Sequence, residues 1–445
     1  ALTGIFEIQL LNGNTIACTT VWDKFKKNCA FYTPQKVEEI TLVLAPDIEK
    51  AARFYAKAKP ASIHWGVPID MTPEITPLCH AIAALWALTG NLDVPGGNVF
   101  TRSAFNAVAY ALPGAEGVIK LKDQAQDKTR IGKDEYGPFN KFIWRCQTDK
   151  VIEQIFSEKP YPVKGLWMQT CNPLSGIGLD PKLWQKALEK LDFIVGVDLF
   201  MTPSLRYADI ILSAATFLEK DGVRSWWVPL QTINKALTVD GCRPDVEINF
   251  ELSKRFDPDF KWETIHDLFD EILEPSGMNF EKLSKKGWAL PPENHASRPY
   301  FRHEKGLLRS DGKPGFTTPS GKFELYATLR EDWGLEAMPY FKEPPFTPIS
   351  RPDLFKDYPL ILGTGRRSPA FFHSEHRNIP WLRTLDPDPV VEIHPETARK
   401  NKISNGEWVI VENWMGKARF KAKVTKIVPP WMVMAAHGWW FPEEK

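Results

Sequence analysis

Three short apolar runs, separated by helix-forming stretches, constrain the fold of this 445-residue chain more than any other feature of its sequence. The runs Leu166 to Thr170, Phe193 to Val197 and Ile210 to Ala214 have the length and composition of buried strands. Between the first two, Asp180 followed by Pro181 is typical of a helix start. Strands that alternate with helices indicate a parallel sheet with right-handed crossovers. The sequence therefore predicts an α/β fold.

The carboxyl ends of such strands are where a parallel sheet binds ligands. Asn172 lies in the turn CNPLSG after the first strand, Asp198 ends the second, and Lys220 lies in ATFLEKDG after the third. Asn172 can donate and accept hydrogen bonds, Asp198 can accept from a ribose or a purine N–H edge, and Lys220 can bind a phosphate. Asn172-Pro173 is equally an ordinary tight turn and Asp198 an ordinary strand-end cap, and no GxGxxG motif is present.

Composition argues against several classes of protein. The 56 basic and 55 acidic residues give a net charge of +1, so no overall field favours nucleic acid or an anionic membrane. The six cysteines include no CxxC pair, which argues against a local iron–sulfur or zinc site, and a disulfide framework is not expected in a chain of this length. No apolar run approaches the length of a transmembrane segment, and no signal peptide opens the sequence.

The character of the sequence changes along the chain and predicts four regions. Residues 1–65 resemble the end of an α/β lobe begun upstream, and residues 66–255 form an α/β lobe whose strand-end turns suit a nucleotide. Residues 256–345 are rich in Pro, Gly and Lys and are expected to be irregular structure packed on another element. Residues 346–445 contain many short strands and few helices, which favours a small closed barrel. Both ends look cut, so we interpret the chain as a fragment.

Several elements outside the central strands are also predicted. Asp245 precedes an amphipathic helix, where a carboxylate stabilises the helix N-terminus without any further role. The further predicted elements are a helix over Ile48 to Lys59 capped by Asp47, a strand over Ser62 to Gly66, and a helix with Thr76 and Pro77 as its capping pair that ends at Gly90.

From Thr364 onward the sequence resembles a known family. The run Thr364 to Arg367 with Phe372-His373-Ser374 is similar to the cofactor loop of the dimethyl sulfoxide reductase family of molybdenum and tungsten enzymes. PDPVVEIHPETARKNKISNGEWVIVEN and HGWW resemble that family's carboxyl-terminal domain. Segments upstream of Thr364 also occur in the family's order, so the resemblance covers essentially the whole chain. They are IHWGVPI, ALTGNLDVPGGNV, GLWMQTCNPLSG, VGVDLFMT, YADIILSAATFLEKDG and PSGKFELY. HSEHRNIP and HGWWFPE look most similar to the acetylene hydratase and catechol dehydroxylase-like group.

The resemblance implies a fold and cofactors. The fold is parallel, doubly wound sheet lobes followed by a carboxyl-terminal double-psi β-barrel. The cofactors are two molybdopterin guanine dinucleotides with molybdenum or tungsten, and a [4Fe-4S] cluster in an amino-terminal module upstream of Ala1, near which residues 256–345 would pack. The residue that ligates the metal also lies upstream in the family. No metal ligand or catalytic residue is therefore assigned to this chain, which is expected to be inactive by itself.

The implied activity of the intact protein is two-electron, oxygen-atom or hydroxyl-removing chemistry on a small-molecule substrate in anaerobic metabolism. A non-redox hydration on the same cofactor is an alternative. The family also implies an iron–sulfur subunit as electron-transfer partner. Two rivals stay open, namely a binding or scaffold protein of the same fold that has lost the cofactor, and an ordinary α/β enzyme that uses NAD or ATP.

Carried over residue by residue, the family's contacts to the nucleotide and the pterins predict a set of binding residues. Asp198 or Asp245 would accept hydrogen bonds from guanine N1 and N2, and Arg366 and Arg367 would bind the pyrophosphate. His373 could instead be a packed barrel histidine, while a Gln expected after the WGV-like turn is missing from VPIDMTPE. The set comprises Asn172, Val197, Asp198, Lys220 and Asp245 for the nucleotide, and Thr364, Gly365, Arg366, Arg367, Phe372, His373, Ser374, Trp439, Trp65 and Gly66 for the pterins and pyrophosphate.

Overall fold

A computed structural model of the chain describes residues 2–66, 69, 71–100, 129–135, 146–176, 180–224, 229–290, 299–366 and 368–442. Its strands are β1 (Ile5–Gln9), β2 (Thr15–Thr19), β3 (Gly165–Gln169), β4 (Phe193–Asp198), β5 (Ile210–Ser213), β6 (Gly222–Arg224), β7 (Leu230–Ile233), β8 (Trp288–Ala289), β9 (Ile361–Arg366), β10 (Val390–Ile393), β11 (Trp408–Asn413), β12 (Gly416–Val424) and β13 (Met432–Ala436).

The helices follow in the same chain order. They are α1 (Val21–Phe31), α2 (Pro34–Thr41), α3 (Ala45–Lys57), α4 (Ile75–Leu88), α5 (Thr148–Ser157), α6 (Pro173–Gly176), α7 (Pro181–Lys190), α8 (Asp245–Phe256), α9 (Ile265–Leu273), α10 (Phe280–Lys286), α11 (Thr328–Glu331), α12 (Pro352–Asp357), α13 (Pro380–Leu385) and α14 (Pro395–Lys400), with 3-10 turns at Ser204–Tyr207 and Glu274–Ser276. No helix within the described ranges is long and apolar enough to cross a membrane.

The described residues form two compact units. Those up to 100, with 229, 290 and 299–342, form the first unit, and those from 129 to 224, from 230 to 289 and from 343 to 442 form the second. The first unit opens with an antiparallel β1–β2 hairpin followed by α1 and α2. Thr20 and Thr33 cap these two helices by accepting the amides of Asp23 and Lys36. Helix α2 ends at Thr41, where Leu42 adopts a left-handed conformation with φ of 61°.

Three predictions for the first unit were wrong in detail. Helix α3 begins at Ala45 with Leu44 at its N-cap position, so Asp47 lies inside its first turn and does not cap it. Residues 62–66 are irregular, because the side chain of Asn98 bonds both the amide and the carbonyl of Ile63, at 2.8 and 2.9 Å. A side chain thus replaces the neighbouring strand that the apolar pattern suggested. Helix α4 begins at Ile75 with Glu74 at the N-cap position, so Thr76 and Pro77 lie inside its first turn and do not cap it.

The predicted parallel sheet is confirmed in the second unit. Strands β3, β4 and β5 are parallel in that order, with Leu166 opposite Ile194 and Val197 opposite Leu212. Asp180 caps α7 by accepting the amide of Lys182 at 2.9 Å. Helix α7 crosses from β3 to β4, and α5, which was not predicted from the sequence, packs beside it. The buried core around this sheet includes Met168, Trp184, Ala187, Leu188, Ile194 and Leu205.

The carboxyl-terminal part of the second unit is a curled, mixed five-stranded sheet in the order β11-β12-β10-β13-β9. Strands β11 and β12 form an antiparallel hairpin, while β10 pairs with β12 in parallel and with β13 in the antiparallel direction. Val391, Ile393, Ala422, Val433 and Ala435 form its core. Strand β10 and helices α12 and α13 had no separate prediction. The predicted small barrel is thus present in part, as a half-barrel sheet.

Candidate functional site

The turn after β3 holds Asn172 in one orientation. Its backbone carbonyl accepts from the amides of Ser175 and Gly176 at 3.1 and 2.8 Å, which closes the short helix α6. Its side-chain Oδ1 accepts from Ser204 Oγ at 2.7 Å. Asn172 Nδ2 is buried and has no hydrogen-bond partner within the described residues. Asn172 therefore stabilises the turn with one end of its amide and leaves the other end available.

Asp198 at the end of β4 divides its oxygens in a similar way. Oδ1 accepts from the amides of Leu199 and Phe200 at 2.7 and 3.4 Å, which is the strand-end cap that the sequence also allowed. Oδ2 makes no hydrogen bond to any residue that the structure describes. Burial raises the pKa of Asp198, and the charges of Glu375 and Asp245 add to this effect, against the two amide bonds that lower it.

Lys220 and Asp245 form an ion pair with 3.5 Å between Nζ and Oδ2. Asp245 is the first residue of α8, and its Oδ1 also accepts from Gln169 Nε2 at 3.1 Å. Asp245 thus does stabilise a helix start, as its simplest interpretation predicted. Its Oδ2 also orients the ammonium group of Lys220, whose side chain is only 28 % exposed.

A loop between β9 and α13 brings a second set of groups. His373 and His376 have φ of 49° and 68°, which is rare for residues with a Cβ. The carbonyl of Ser374 accepts from Trp440 Nε1 at 2.9 Å. The guanidinium of Arg377 lies between two rings, 4.1 Å from the centroid of Phe371 and 4.0 Å from that of Trp439. These contacts anchor the loop on the segment after β13.

The strand ends and this loop line one cleft of about 460 Å³. That volume lies within the range of about 300–1,000 Å³ typical of small-molecule sites. The predicted residues that line it are Asn172, Asp198, Lys220, Asp245 and Ser374. Thr202, Glu375 and Trp440 also line it and were not predicted to bind a ligand. Glu375 could have been found, because it follows Ser374 directly, but nothing in the sequence distinguished Thr202.

Other predicted residues lie elsewhere. Val197 is completely buried beside Ala214 and Ile248, so its side chain faces the core and not the cleft. Thr364 and Gly365 lie in β9 outside the lining of the cleft, and Phe372 is 59 % exposed. Arg367 and the side chain of Arg366 lie outside the described residues.

His373 and Trp439 line a separate cavity of about 10 Å³, together with Arg377 and His437. This cavity is about the size of one water molecule. His373 Nδ1 lies 3.0 Å from His437 Nε2, so one histidine donates to the other. Trp65 and Gly66 belong to the first unit, where the Trp65 ring lies 5.3 Å from that of Trp86.

The side chains of the cleft suit a guanine nucleotide. Asp198, Asp245 and Glu375 are its carboxylates, and Lys220 supplies an ammonium group. Guanine presents donors at N1 and N2 that match a carboxylate, and its phosphates match an ammonium and an amide donor. The buried, unsatisfied Nδ2 of Asn172 supplies such a donor. No group of three or more His, Cys, Asp or Glu that could hold a metal occurs in the part of the chain that the structure describes.

Comparison with known proteins gives two family matches. Residues 32–255 match the model of the molybdopterin oxidoreductase family. Residues 360–444 match the model of the molybdopterin dinucleotide binding domain, which includes the loop that carries Ser374. Together the two matches include every residue that lines the cleft.

Individual relatives agree with these matches. The chain is 30 % identical to a dopamine dehydroxylase of Eggerthella lenta, over all of this chain and 51 % of that protein. It is 28 % identical to a dimethyl sulfoxide reductase of Escherichia coli, over 93 % of this chain and 53 % of that protein. The solved acetylene hydratase from Pelobacter acetylenicus superposes with a TM-score of 0.83 at 27 % identity, over 95 % of this chain and 60 % of that one. The chain thus spans about half the length of the curated relatives it matches.

Proposed function

This chain belongs to the molybdopterin oxidoreductase family, the dimethyl sulfoxide reductase family that its motifs resemble, and on that premise we propose that its cleft binds the guanylate end of a molybdopterin guanine dinucleotide. The observation that supports this proposal is the convergence of Asn172, Asp198, Lys220 and Ser374 on one cleft. These residues come from separate turns, and the last is about two hundred residues from the first in sequence.

Each of these groups has a distinct task in the proposed complex. Asp198 Oδ2 accepts from guanine N1–H and N2–H, and its partial burial strengthens this bond by excluding water. Lys220, oriented by Asp245, neutralises a phosphate. Asn172 Nδ2 donates to an oxygen of the ribose or the diphosphate. The pterins and the pyrophosphate bind, in this proposal, to Thr364, Gly365, Arg366, Arg367, Phe372, His373, Ser374, Trp439, Trp65 and Gly66.

In the longer protein this chain would be the part that binds the cofactor. The bound molybdenum or tungsten cofactor supplies two-electron or oxygen-atom transfer chemistry. A [4Fe-4S] module upstream would supply the metal-ligating residue and the route for electrons from an iron–sulfur partner subunit. This chain would fix the guanylate and exclude water from the base, and its half-barrel sheet would be its part of the family's double-psi barrel.

Two reactions follow from the names of the relatives. A dehydroxylase relative favours reductive removal of a hydroxyl group, which uses two electrons and two protons and releases water. An acetylene hydratase relative favours addition of water, which uses no electrons. We propose the redox reaction on a small hydroxylated substrate, with hydration as the alternative. If the complete protein oxidises reduced viologen in proportion to the product that it forms, the redox reaction is supported. Product that forms without oxidation of viologen supports hydration.

Replacement of Asp198 by Asn tests the base contact. Asp198→Asn keeps an oxygen for the amides of Leu199 and Phe200 but presents an NH₂ group to the guanine donors. We expect GMP to bind the cofactor-free protein roughly 10- to 100-fold more weakly, as for loss of a charged hydrogen bond of about 1.5–3 kcal/mol. Isothermal titration calorimetry with GMP measures this.

The matched control is Asp192→Asn, which makes the same charge change just before β4, at the opposite end of that strand. It should bind GMP like the unmodified protein. Equal affinity in all three proteins would show that Asp198 does not contact the base. A complete protein that is purified from its natural host without molybdenum, tungsten and pterin would instead favour the scaffold interpretation.

A further inference from the structure

Ser204 is a completely buried residue whose hydroxyl connects two segments of the cleft wall. It accepts from the amide of Leu174 at 3.1 Å and donates to Asn172 Oδ1 at 2.7 Å. The amide of Leu174 can only donate, so the single hydroxyl proton of Ser204 is free for Asn172. If the Asn172 amide were flipped, that buried proton would have no acceptor among the described residues. Ser204 therefore decides which end of the Asn172 amide faces the ligand.

The consequence is a fixed donor in the cleft wall. With Oδ1 turned to Ser204, Nδ2 is the end of Asn172 left without a partner in the described structure. Thr202 lies two residues before Ser204, lines the same cleft and is 7 % exposed. Its Oγ1 is also buried and has no hydrogen-bond partner among the described residues. Buried polar groups are normally satisfied, so two such groups on one cleft wall indicate that a ligand satisfies them.

We propose that Thr202 is a direct ligand-binding residue and Ser204 a positioning residue, and that Ser204 acts through Asn172 to present a pair of donors, Asn172 Nδ2 and Thr202 Oγ1, to an acceptor oxygen of the bound nucleotide. The inference rests on the proposed function, because the nucleotide is the ligand. The acceptor is an oxygen of the ribose or of the phosphate, which share this chemistry. In this arrangement Asp198 accepts hydrogen bonds from the guanine base, and Asn172 and Thr202 donate hydrogen bonds to the ribose or the phosphate.

A double-mutant cycle separates this role from a merely structural one. Ser204→Ala removes the bond that orients Asn172, and we expect it to weaken GMP binding roughly three- to tenfold, as for one neutral hydrogen bond. In an Asn172→Ala background the same Ser204→Ala change should leave GMP affinity unchanged, because no amide remains to be oriented. A structural role would lower affinity by the same factor in both backgrounds, and that result would overturn the positioning role.

Thr202 is tested separately, so that poor folding of the Ser204 variant would not leave the inference untested. Thr202→Val has the same shape without the hydroxyl and should bind GMP roughly three- to tenfold more weakly, while Thr202→Ser should restore the affinity. If Thr202→Val binds GMP as tightly as Thr202→Ser and the unmodified protein do, Thr202 does not contact the nucleotide.

Guanosine identifies the oxygen that the pair contacts. A Thr202→Val effect seen with both guanosine and GMP assigns the pair to the ribose, whereas an effect seen with GMP alone assigns it to the phosphate. The protein for all titrations is the longest natural chain with this sequence, made in a host without molybdopterin. If that unmodified protein binds neither GMP nor GDP, the proposed function itself fails, an outcome distinct from normal binding that the variants do not change.

Discussion

Asp198 serves both the chain and the proposed ligand with its two oxygens. One oxygen holds the amides that turn the chain out of β4, and the other lies in the cleft without a partner among the described residues. This division explains why the sequence allowed two interpretations, a strand-end cap and a base contact. The two roles are compatible because a carboxylate has several acceptor sites.

We expect the affinity for GMP to fall at acidic pH, starting at a higher pH than an exposed aspartate would give. The ionised form accepts the guanine donors, and burial raises the pKa of Asp198 above its ordinary value of 3.8. Protonation of Asp198 removes the acceptor, and because the pKa is raised, protonation begins at a higher pH as the solution is acidified. GMP binding is therefore fully present above the raised pKa and is lost below it.

The variant Glu375→Gln tests the cause of this shift. The charge of Glu375 contributes to the raised pKa of Asp198, so its removal should move the midpoint of the GMP titration to lower pH. Calorimetry from about pH 8 to about pH 4 measures both proteins. His376 lines the same cleft and is replaced by Gln in both proteins, so that they differ only at residue 375. A midpoint that stays in place after Glu375→Gln would contradict the electrostatic coupling.

Local signals explain which elements the sequence predicts. Strands β3 to β5 and helix α7 were predicted because each has its own signal, such as the cap at Asp180. The strand predicted over residues 62–66 failed because its partner is the side chain of Asn98, more than thirty residues away. Thr202 was not predicted for the same reason. Its position in the cleft wall depends on contacts between distant parts of the chain and not on the residues next to it in sequence.

The junction between the loop that carries Ser374 and strand β13 depends on one glycine. Gly438 has φ of +64°, and a Cβ there would lie 2.9 Å from the backbone of His373 and Ser374. We expect Gly438→Ala to lower the free energy of unfolding by roughly 2–4 kcal/mol, from backbone strain together with this clash. Urea denaturation measures the change.

Gly406→Ala is the matched control for Gly438. Gly406 also has positive φ, +84°, but no atom lies within 4 Å of its built Cβ. Its replacement should cost about 1–2 kcal/mol, the strain of the left-handed backbone alone. Equal losses in the two variants would show that the loop moves away from the added methyl group.

The first unit is built from two stretches of the chain that are distant in sequence. Most of its described residues lie within 2–100 and 299–342, with residues 229 and 290 between these stretches. A buried ion pair joins the two stretches, with Arg302 Nε 3.3 Å from Asp93 Oδ2 and side-chain exposures of 7 % and 0 %. Arg302 also donates its amide to Asp93 at 2.8 Å and its guanidinium to the carbonyl of Phe100. No sequence pattern indicated this pairing, because the partners share no local motif.

Loss of the arginine should therefore destabilise the first unit strongly. Arg302→Leu leaves Asp93 charged, buried and without its counterion, which typically costs about 3–5 kcal/mol. The control, Arg309→Leu, breaks an exposed pair with Asp311 in the same unit and should cost about 0–1 kcal/mol. Hydrogen exchange of amides in α4 reports on this unit. Equal protection in the two variants would mean that the buried pair does not hold the stretches together.

The cleft has one consequence for the order of events during protein synthesis. Its walls include Asn172 from an early turn and Trp440 from nearly the last residues described. A nascent chain on the ribosome contains Asn172 long before Trp440 is added. If the cleft binds the nucleotide as proposed, a polypeptide that has not yet been extended past Trp440 lacks this wall, so capture of the nucleotide has to follow the synthesis and folding of this segment.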